Sequence, residues 1–281
     1  MSLSSLATRG EGPQKDAYRI VTDEAYGPHH RQRMDLYLAH EVERLGSRSF
    51  TIVFLHGGGF SFGDKANNDR YIEPFLRKGL NVVNLNYRIG EGIPPATEDL
   101  TLALNHLATE AGEDGLRMDR VVVGGFSAGG QIASTVGFSQ RSPDYPFPLD
   151  EGVRIVGILN ISGPMDRVEV VEEVFADSGD EAWQQVARNL FPPGGRFDRE
   201  EMLRIFTPSS HFSDDAPAFL LWHGGEDDQV PPVTFEAFVE RAAGSDVEHR
   251  VLFEPQGGHS PTDAELELLF IEIFRFLDRI A

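Results

Sequence analysis

The sequence predicts an α/β fold built on a mostly parallel sheet, and three observations carry that prediction. Apolar runs of strand length recur along the 281 residues. Amphipathic stretches with helical spacing separate most of them. Several of the runs stop abruptly at glycines. A strand covered on both faces reads as a continuous apolar run, and two parallel strands need a long crossover between them, so this alternation means helical crossovers over a buried sheet.

The polar, Gly/Pro-punctuated first 16 residues are expected to be frayed. Tyr18–Tyr26 and Arg33–Leu38 follow as short strands joined through the turn-forming Gly27-Pro28, and their closeness in sequence suggests an antiparallel N-terminal edge. Phe50–Leu55, Leu80–Leu85, Arg120–Val123, Ile155–Ile161, Ala218–Trp222 and His249–Phe253 complete a sheet of about eight strands. Helical patterns lie over Thr97–Ala111 (apolar at Leu100, Ala103, Leu104, Leu107 and Ala111), Gln131–Ser139, Val233–Ala243 and Thr262–Ile280. Residues 165–212 interrupt the alternation with an acidic helical stretch at Val168–Phe175, a second at Ala182–Leu190, the breaker Pro192-Pro193-Gly194-Gly195 and a further short helical pattern. With no linker long enough to free this segment, residues 1–281 are expected to form one domain, with 165–212 as a cap or lid.

Composition narrows the function classes. Hydrophobic residues make up 40% and charged residues 25%, enough to bury a sizeable core. With 25 Lys+Arg against 45 Asp+Glu the formal charge is −20, a surface that repels phosphate backbones and anionic headgroups, so no nucleic-acid partner is expected. The absence of cysteine excludes disulfides, thiolate metal sites and a cysteine nucleophile. No apolar run approaches the length of a membrane span, and the N-terminus has no apolar signal core, so a cytoplasmic protein is expected. His29 and His30 are adjacent and cannot share a helical face, and no His-Glu-x-x-His occurs. Neither a metal nor a cofactor is expected.

Two glycine-rich segments carry chemistry. Gly125-Phe126-Ser127-Ala128-Gly129-Gly130 directly follows a strand and precedes a helix. A strand-to-helix turn that tight excludes side chains beside the serine, which explains Gly125 and Gly129 and presents the Ser127 hydroxyl as a nucleophile. The helix N-terminus adds free N–H groups that favour developing negative charge. His56-Gly57-Gly58-Gly59-Phe60 ends another strand, and its unshielded backbone amides suit an oxygen that becomes an oxyanion during acyl transfer. A phosphate-cradling reading finds no Gly-x-Gly-x-x-Gly here, and Gly63-Asp64-Lys65 is one residue out of step with a P-loop.

HGGGF and GFSAGG, followed by WHGGEDDQVP (222–231) and GGHS (257–260), resemble the α/β-hydrolase superfamily, in particular its carboxylesterase branch. That branch includes hormone-sensitive-lipase-like esterases and feruloyl and acetyl-xylan esterases. HGGGF-x-x-GDK (56–65) and MDLYL (34–38) lean toward the feruloyl and acetyl esterases, and Asn86-Tyr87-Arg88 lacks the Leu-Ala-Pro-Glu that usually follows in the hormone-sensitive-lipase group.

The resemblance implies an α/β-hydrolase fold, a Ser-Asp-His chain order and hydrolysis of carboxylic esters through an acyl-enzyme. The residues after Trp222 leave Glu226, Asp227 and Asp228 open as the acid, and alignment to the family's His-Gly-x-x-Asp-x-x-Val-Pro implies Asp227. Among nine histidines, His259 follows the strand His249–Phe253 through the Pro255-Gln256-Gly257-Gly258 turn and is the implied base. His223, at a strand end, reads as structural support for the acid turn. Gly58, Gly59 and Ala128 are the implied oxyanion donors, and Phe60 and Phe62 the expected apolar walls for a small-molecule ester. The alternatives are an arylformamidase-like amidase and a catalytically silent ligand-binding hydrolase fold. The C-terminal helix reads as core, with a homodimer surface as its alternative.

Overall fold

The computed structural model describes residues 15–281, the side chains of 15 and 110–114 excepted; the expected fraying of the N-terminal segment lies outside the described residues as far as position 14. The strands are β1 (Tyr18–Ala25), β2 (Arg33–Ala39), β3 (Thr51–Leu55), β4 (Asn81–Leu85), β5 (Val121–Phe126), β6 (Ile155–Ile161), β7 (Ala218–Gly224) and β8 (His249–Glu254). They form one sheet in the order β1-β2-β4-β3-β5-β6-β7-β8. β1 pairs antiparallel with β2, and β2 with β4, while every later pair is parallel. The expected sheet, with its antiparallel N-terminal edge, is the sheet observed.

Side-chain alternation divides the strands between two apolar layers. Val53, Leu55, Val121, Val123, Phe219 and Leu221 join the larger cluster on one face. Ile52, Phe54, Val122, Leu159, Leu220 and Trp222 join the smaller cluster on the other. The smaller layer is roofed by α1 (Asp69–Arg77) and α8 (Asp263–Arg279), the larger by α2 (Ile93–Asp114) and α3 (Ala128–Ser139) among others. Both faces are therefore covered, which is why these strands lack a polar side.

Two helices differ from the sequence reading. α1 has no counterpart among the expected helices; Pro74 falls inside its nine residues, yet Tyr71, Ile72, Phe75 and Leu76 give it a buried stripe that outweighs one lost hydrogen bond. α2 starts at Ile93, ahead of Thr97. Pro94 and Pro95 occupy its first turn, where N–H groups have no intrahelical partner in any case. At the chain's end, Thr262 caps α8 in a reciprocal box with Glu265.

Residues 165–212 fold as α4 (Val168–Ala176), α5 (Glu181–Leu190), α6 (Arg199–Phe206) and a 3₁₀ turn at Pro208–His211. Their apolar residues, including Val171, Val186, Leu190, Ile205 and Phe206, merge with the larger cluster and do not enclose a core of their own. α7 (Glu236–Ala243) follows β7. Among the described residues no helix is long and apolar enough to cross a membrane.

One buried carboxylate ties three distant segments. Asp99 on α2 has no exposed side-chain area and accepts from Arg88 N–H (2.6 Å), Arg88 Nε (2.9 Å) and Gln32 Nε2 (2.8 Å). Removing it leaves Gln32 Nε2 and the Arg88 N–H without this acceptor and takes the buried carboxylate from a largely buried guanidinium, which keeps Glu98 Oε2 at 2.8 Å. Asp99→Ala is expected to lower the unfolding free energy by about 3 kcal/mol or more, read as a fall in the urea midpoint; an unchanged midpoint would show that the network adds nothing to stability.

Candidate active site

The parallel strands end on one side of the sheet, and there their loops bring together groups far apart in sequence. Ser127 sits between β5 and α3 at φ 54° and ψ −120°, in the left-handed half of conformational space. Its N–H donates to the Ile161 carbonyl at 2.7 Å. Neighbouring backbone leaves no room for side chains on the flanking glycines. A Cβ on Gly125 would stand 2.3 Å from the Gly129 carbonyl carbon, and one on Gly129 would stand 2.4 Å from the Leu55 carbonyl oxygen. The turn therefore requires glycine at positions 125 and 129.

The Ser127 hydroxyl lies 2.9 Å from His259 Nε2, and His259 Nδ1 lies 2.8 Å from Asp227 Oδ2. For the hydroxyl to donate to Nε2, the ring must carry its proton on Nδ1 and donate it to the carboxylate. Asp227 Oδ1 accepts from the N–H groups of Gln229 (3.0 Å) and Val230 (2.8 Å). The Asp227 side chain is wholly buried, whereas Glu226 and Asp228 are exposed. The burial pattern thus separates three acids that adjacent positions alone could not.

The loops carrying acid and imidazole are laced together. Gly225 N–H donates to Glu254 O at 2.7 Å, and Glu226 N–H donates to Gly257 O at 2.8 Å. The His259 carbonyl accepts from Ser162 Oγ at 2.7 Å. His223 braces the same turn: its Nε2 lies 2.8 Å from Val230 O, and its ring stacks on Phe235 at 4.3 Å. Burial lowers its pKa. It is packed as support, as its place at a strand end suggested.

The His56–Phe60 loop lies against the serine turn, since a Cβ on Gly57 would stand 2.8 Å from the Phe126 ring. The Gly58 carbonyl turns inward to accept from Ser61 N–H (3.0 Å) and Phe62 N–H (2.9 Å). Among the described residues, the amides of Gly58, Gly59 and Ala128 donate to no protein group. Phe60 departs from its expected role. Its ring is 2% exposed inside the larger cluster, 6.5 Å from that of Tyr87, so it supports the loop from below and is no open wall. Phe62 is 45% exposed.

The groups that hold this loop escaped the sequence reading. Arg31, from the β1–β2 connection, reaches Gly63 O (2.9 Å), His56 Nε2 (3.1 Å) and Asp64 Oδ2 (3.0 Å) with one guanidinium. Asn86 Nδ2 donates to the same Asp64 oxygen at 2.8 Å, and Lys65 Nζ pairs with Asp35 at 2.8 Å. Because Arg31 can only donate, His56 Nε2 is the acceptor and Nδ1–H donates to Gly57 O at 2.7 Å. The signal was present in Gly63-Asp64-Lys65, where an acid and a lysine beside a glycine loop need partners. The insertion touches the loop as well: Asn189 Nδ2 donates to Ser61 Oγ at 2.9 Å, and a Cβ on Gly59 would stand 2.6 Å from a Val186 methyl. Among the described residues no group of His, Asp or Glu could hold a metal ion.

The family model described as BD-FAE matches residues 34–241. A probable isoprenylcysteine alpha-carbonyl methylesterase of Arabidopsis thaliana is 25% identical over 232 residues, covering 76% of this chain and 45% of that protein. Esterase LipC of Mycobacterium tuberculosis is 24% identical over 198 residues, covering 68% of this chain and 47% of its own. The chain thus spans about half the length of these curated relatives. Among solved structures, esterase B of Lactobacillus rhamnosis superposes with a TM-score of 0.74 at 19% identity, over 96% of this chain and 87% of its own. That likeness establishes the fold.

Burial, reinforced by the Arg31 charge, lowers the His56 pKa from 6.5 to about 4, although its bond to Gly57 O opposes the shift. Between those values the unfolded chain takes up a proton that the folded protein refuses, so acidification from pH 6.5 toward 4 costs stability. The loss attributable to His56 is about 3 kcal/mol. His56→Gln is expected to show a shallower fall of urea midpoint over that window than the unaltered protein; equal slopes would show that His56 protonates freely.

Proposed function

The chain belongs to the BD-FAE family and has an α/β-hydrolase fold, and on that premise we propose that it is a serine carboxylesterase acting on small to medium carboxylic esters. The observation that carries this reading is the unbroken run of contacts from Ser127 Oγ through the His259 ring to Asp227, at 2.9 and 2.8 Å. The esterase names of the relatives are consistent with it.

In this reading His259 Nε2 removes the proton from Ser127 Oγ as the oxygen attacks the ester carbonyl carbon. Asp227 holds the ring by Nδ1–H and stabilises the imidazolium that forms. The amides of Gly58, Gly59 and Ala128 receive the negative charge that develops on the carbonyl oxygen, where each donor is worth roughly 10²–10³ in rate. His259 then protonates the departing alkoxide, leaving an acyl group on Ser127. Water, deprotonated by the same nitrogen, attacks that acyl carbon and releases the acid and the free hydroxyl. α5 would wall the glycine-loop side of the site through Val186 and Asn189, with exposed Phe62 at its rim, so the cap segment would set the acyl or alcohol size accepted.

The test is hydrolysis of p-nitrophenyl esters of increasing acyl length, with a feruloyl ester and an acetylated sugar beside them. Ser127→Ala is expected to lose about 10⁶ in kcat, and Asp227→Asn about 10⁴ through the wrong imidazole tautomer. Asp228→Asn should stay near full rate. A phosphonate ester should leave its mass on Ser127. Undiminished hydrolysis by Ser127→Ala, or no adduct on the unaltered protein, would overturn the assignment.

A further inference from the structure

Two serines at neighbouring strand ends share an uncommon backbone. Ser162 follows β6 directly at φ 56°, as Ser127 follows β5 at φ 54°. Each donates its N–H to the adjacent strand, Ser127 to Ile161 O at 2.7 Å and Ser162 to Trp222 O at 2.9 Å. At Ser127 the conformation presents a hydroxyl to the site. Ser162 is wholly buried, so no substrate reaches it. Glycine would adopt the same backbone without strain, and the buried side chain therefore needs its own physical account.

Its hydroxyl supplies one, since Oγ donates to the His259 carbonyl at 2.7 Å. That bond is the last of three contacts made by consecutive residues at the tip of β6. Asn160 Nδ2 donates to Ser134 Oγ at 2.8 Å and to Gly130 O at 3.2 Å, both on α3. The Ile161 carbonyl holds the Ser127 amide. Ser162 then reaches across to the imidazole turn. Just beyond, a Cβ on Gly163 would stand 2.6 Å from the Gln131 nitrogen, so the chain leaves the strand pressed against the first turn of α3. The tip of β6 is wedged between the helix that follows the nucleophile and the turn that carries the base.

The other ties of the histidine turn run elsewhere. Gly225 N–H to Glu254 O and Glu226 N–H to Gly257 O bind it to the acid turn, and Arg70 of α1 donates to Pro261 O at 2.8 Å. These bonds fix His259 relative to Asp227 and α1, and none of them measures its distance from Ser127. The Phe126 ring lies 5.0 Å from that of His259, but an apolar contact sets no direction. One planar peptide unit, between Ile161 and Ser162, accepts from Ser127 on one side and on the other carries the residue whose hydroxyl holds His259. We infer that Ser162 is a positioning residue: it sets the gap between Ser127 Oγ and His259 Nε2, while the acid turn sets the gap between His259 and Asp227. A general base acts only within hydrogen-bond reach of its proton, and a misplacement of about 1 Å is worth as much as about 10²-fold in rate. This role rests on the acyl-transfer reading of the site; the bonds that fix the imidazole do not.

Two variants test it. Ser162→Ala keeps the backbone strain and removes only the hydroxyl; Ser162→Gly removes both, and serves where strain prevents the alanine variant from folding. Active sites are counted by phosphonate labelling of Ser127, so misfolded molecules do not enter the rate. With a p-nitrophenyl ester, kcat per labelled site is expected to fall at least about tenfold in both, with KM within about twofold because Ser162 touches no substrate. A crystal structure of the variant should show His259 Nε2 withdrawn beyond hydrogen-bond reach of Ser127 Oγ, with the Asp227–His259 contact kept. A kcat within about twofold of the unaltered protein, or a Ser127–His259 contact unchanged at 2.9 Å, overturns the role of Ser162. If the unaltered protein cleaves no ester, the esterase reading falls, and the Ser127–His259 distance in the variant still decides whether Ser162 sets it.

Discussion

The backbone of one residue, Ser127, sets what the rest of the structure must do. At φ 54° it is held where a side-chain-bearing residue pays roughly 1–3 kcal/mol in strain, and it stays there because its surroundings leave no alternative. β5 lies between β3 and β6, the Ile161 carbonyl holds the Ser127 amide, and the carbonyls of Leu55 and His56 crowd Gly129 from the next loop. The result is a hydroxyl at the carboxyl end of a central strand, beside the first turn of a helix that is buried from Ala128 to Ser139. A fully packed helix cannot drift, so the groups that meet the hydroxyl must come to it.

They come on loops fixed to one another. The acid turn after β7 and the histidine turn after β8 exchange backbone hydrogen bonds, which makes the Asp227–His259 distance a property of two adjacent parallel strands. The glycine loop is held differently, by charge. Arg31, Asp64 and Asn86 converge on it from three separate segments, and Arg31 settles which nitrogen of His56 carries the proton. Within a chain of net charge −20, that partly buried cation is placed where backbone carbonyls and a carboxylate need a donor. The resulting rigidity lets bare amides stand without side-chain shields, which is the property the proposed oxyanion role requires.

Legibility from the sequence followed the range of the interaction. The eight strands were readable because burial on both faces writes a continuous apolar run into each, and the serine turn because steric exclusion writes glycines on either side of it. α1, missing from the expected helices, carries Pro74 in its interior, whose local cost is outweighed by packing that only the assembled layer supplies. Phe60 was expected beside Phe62 as a pocket wall, but it is buried in the larger cluster, with its backbone at φ 59°. Arg31 gave no signal at all. It lies in a loop with no periodicity, and its partners at 56, 63 and 64 are reached through space and not along the chain.

By itself the sequence determined the layered α/β architecture, the strand-to-helix serine turn and the glycine loop, since each depends on patterns within a few neighbouring residues. Glu226, Asp227 and Asp228 remained equivalent as a local pattern, and the family resemblance alone preferred one of them. Tertiary structure decided that Asp227 is the buried carboxylate facing the imidazole, that Arg31 holds the loop, and that Val186 and Asn189 of the inserted segment lie against it. The physical reason is that burial and hydrogen-bond direction are settled by which strands become neighbours. That order, β4 between β2 and β3 and β8 beyond β7, is created only when the whole sheet closes its two apolar layers together.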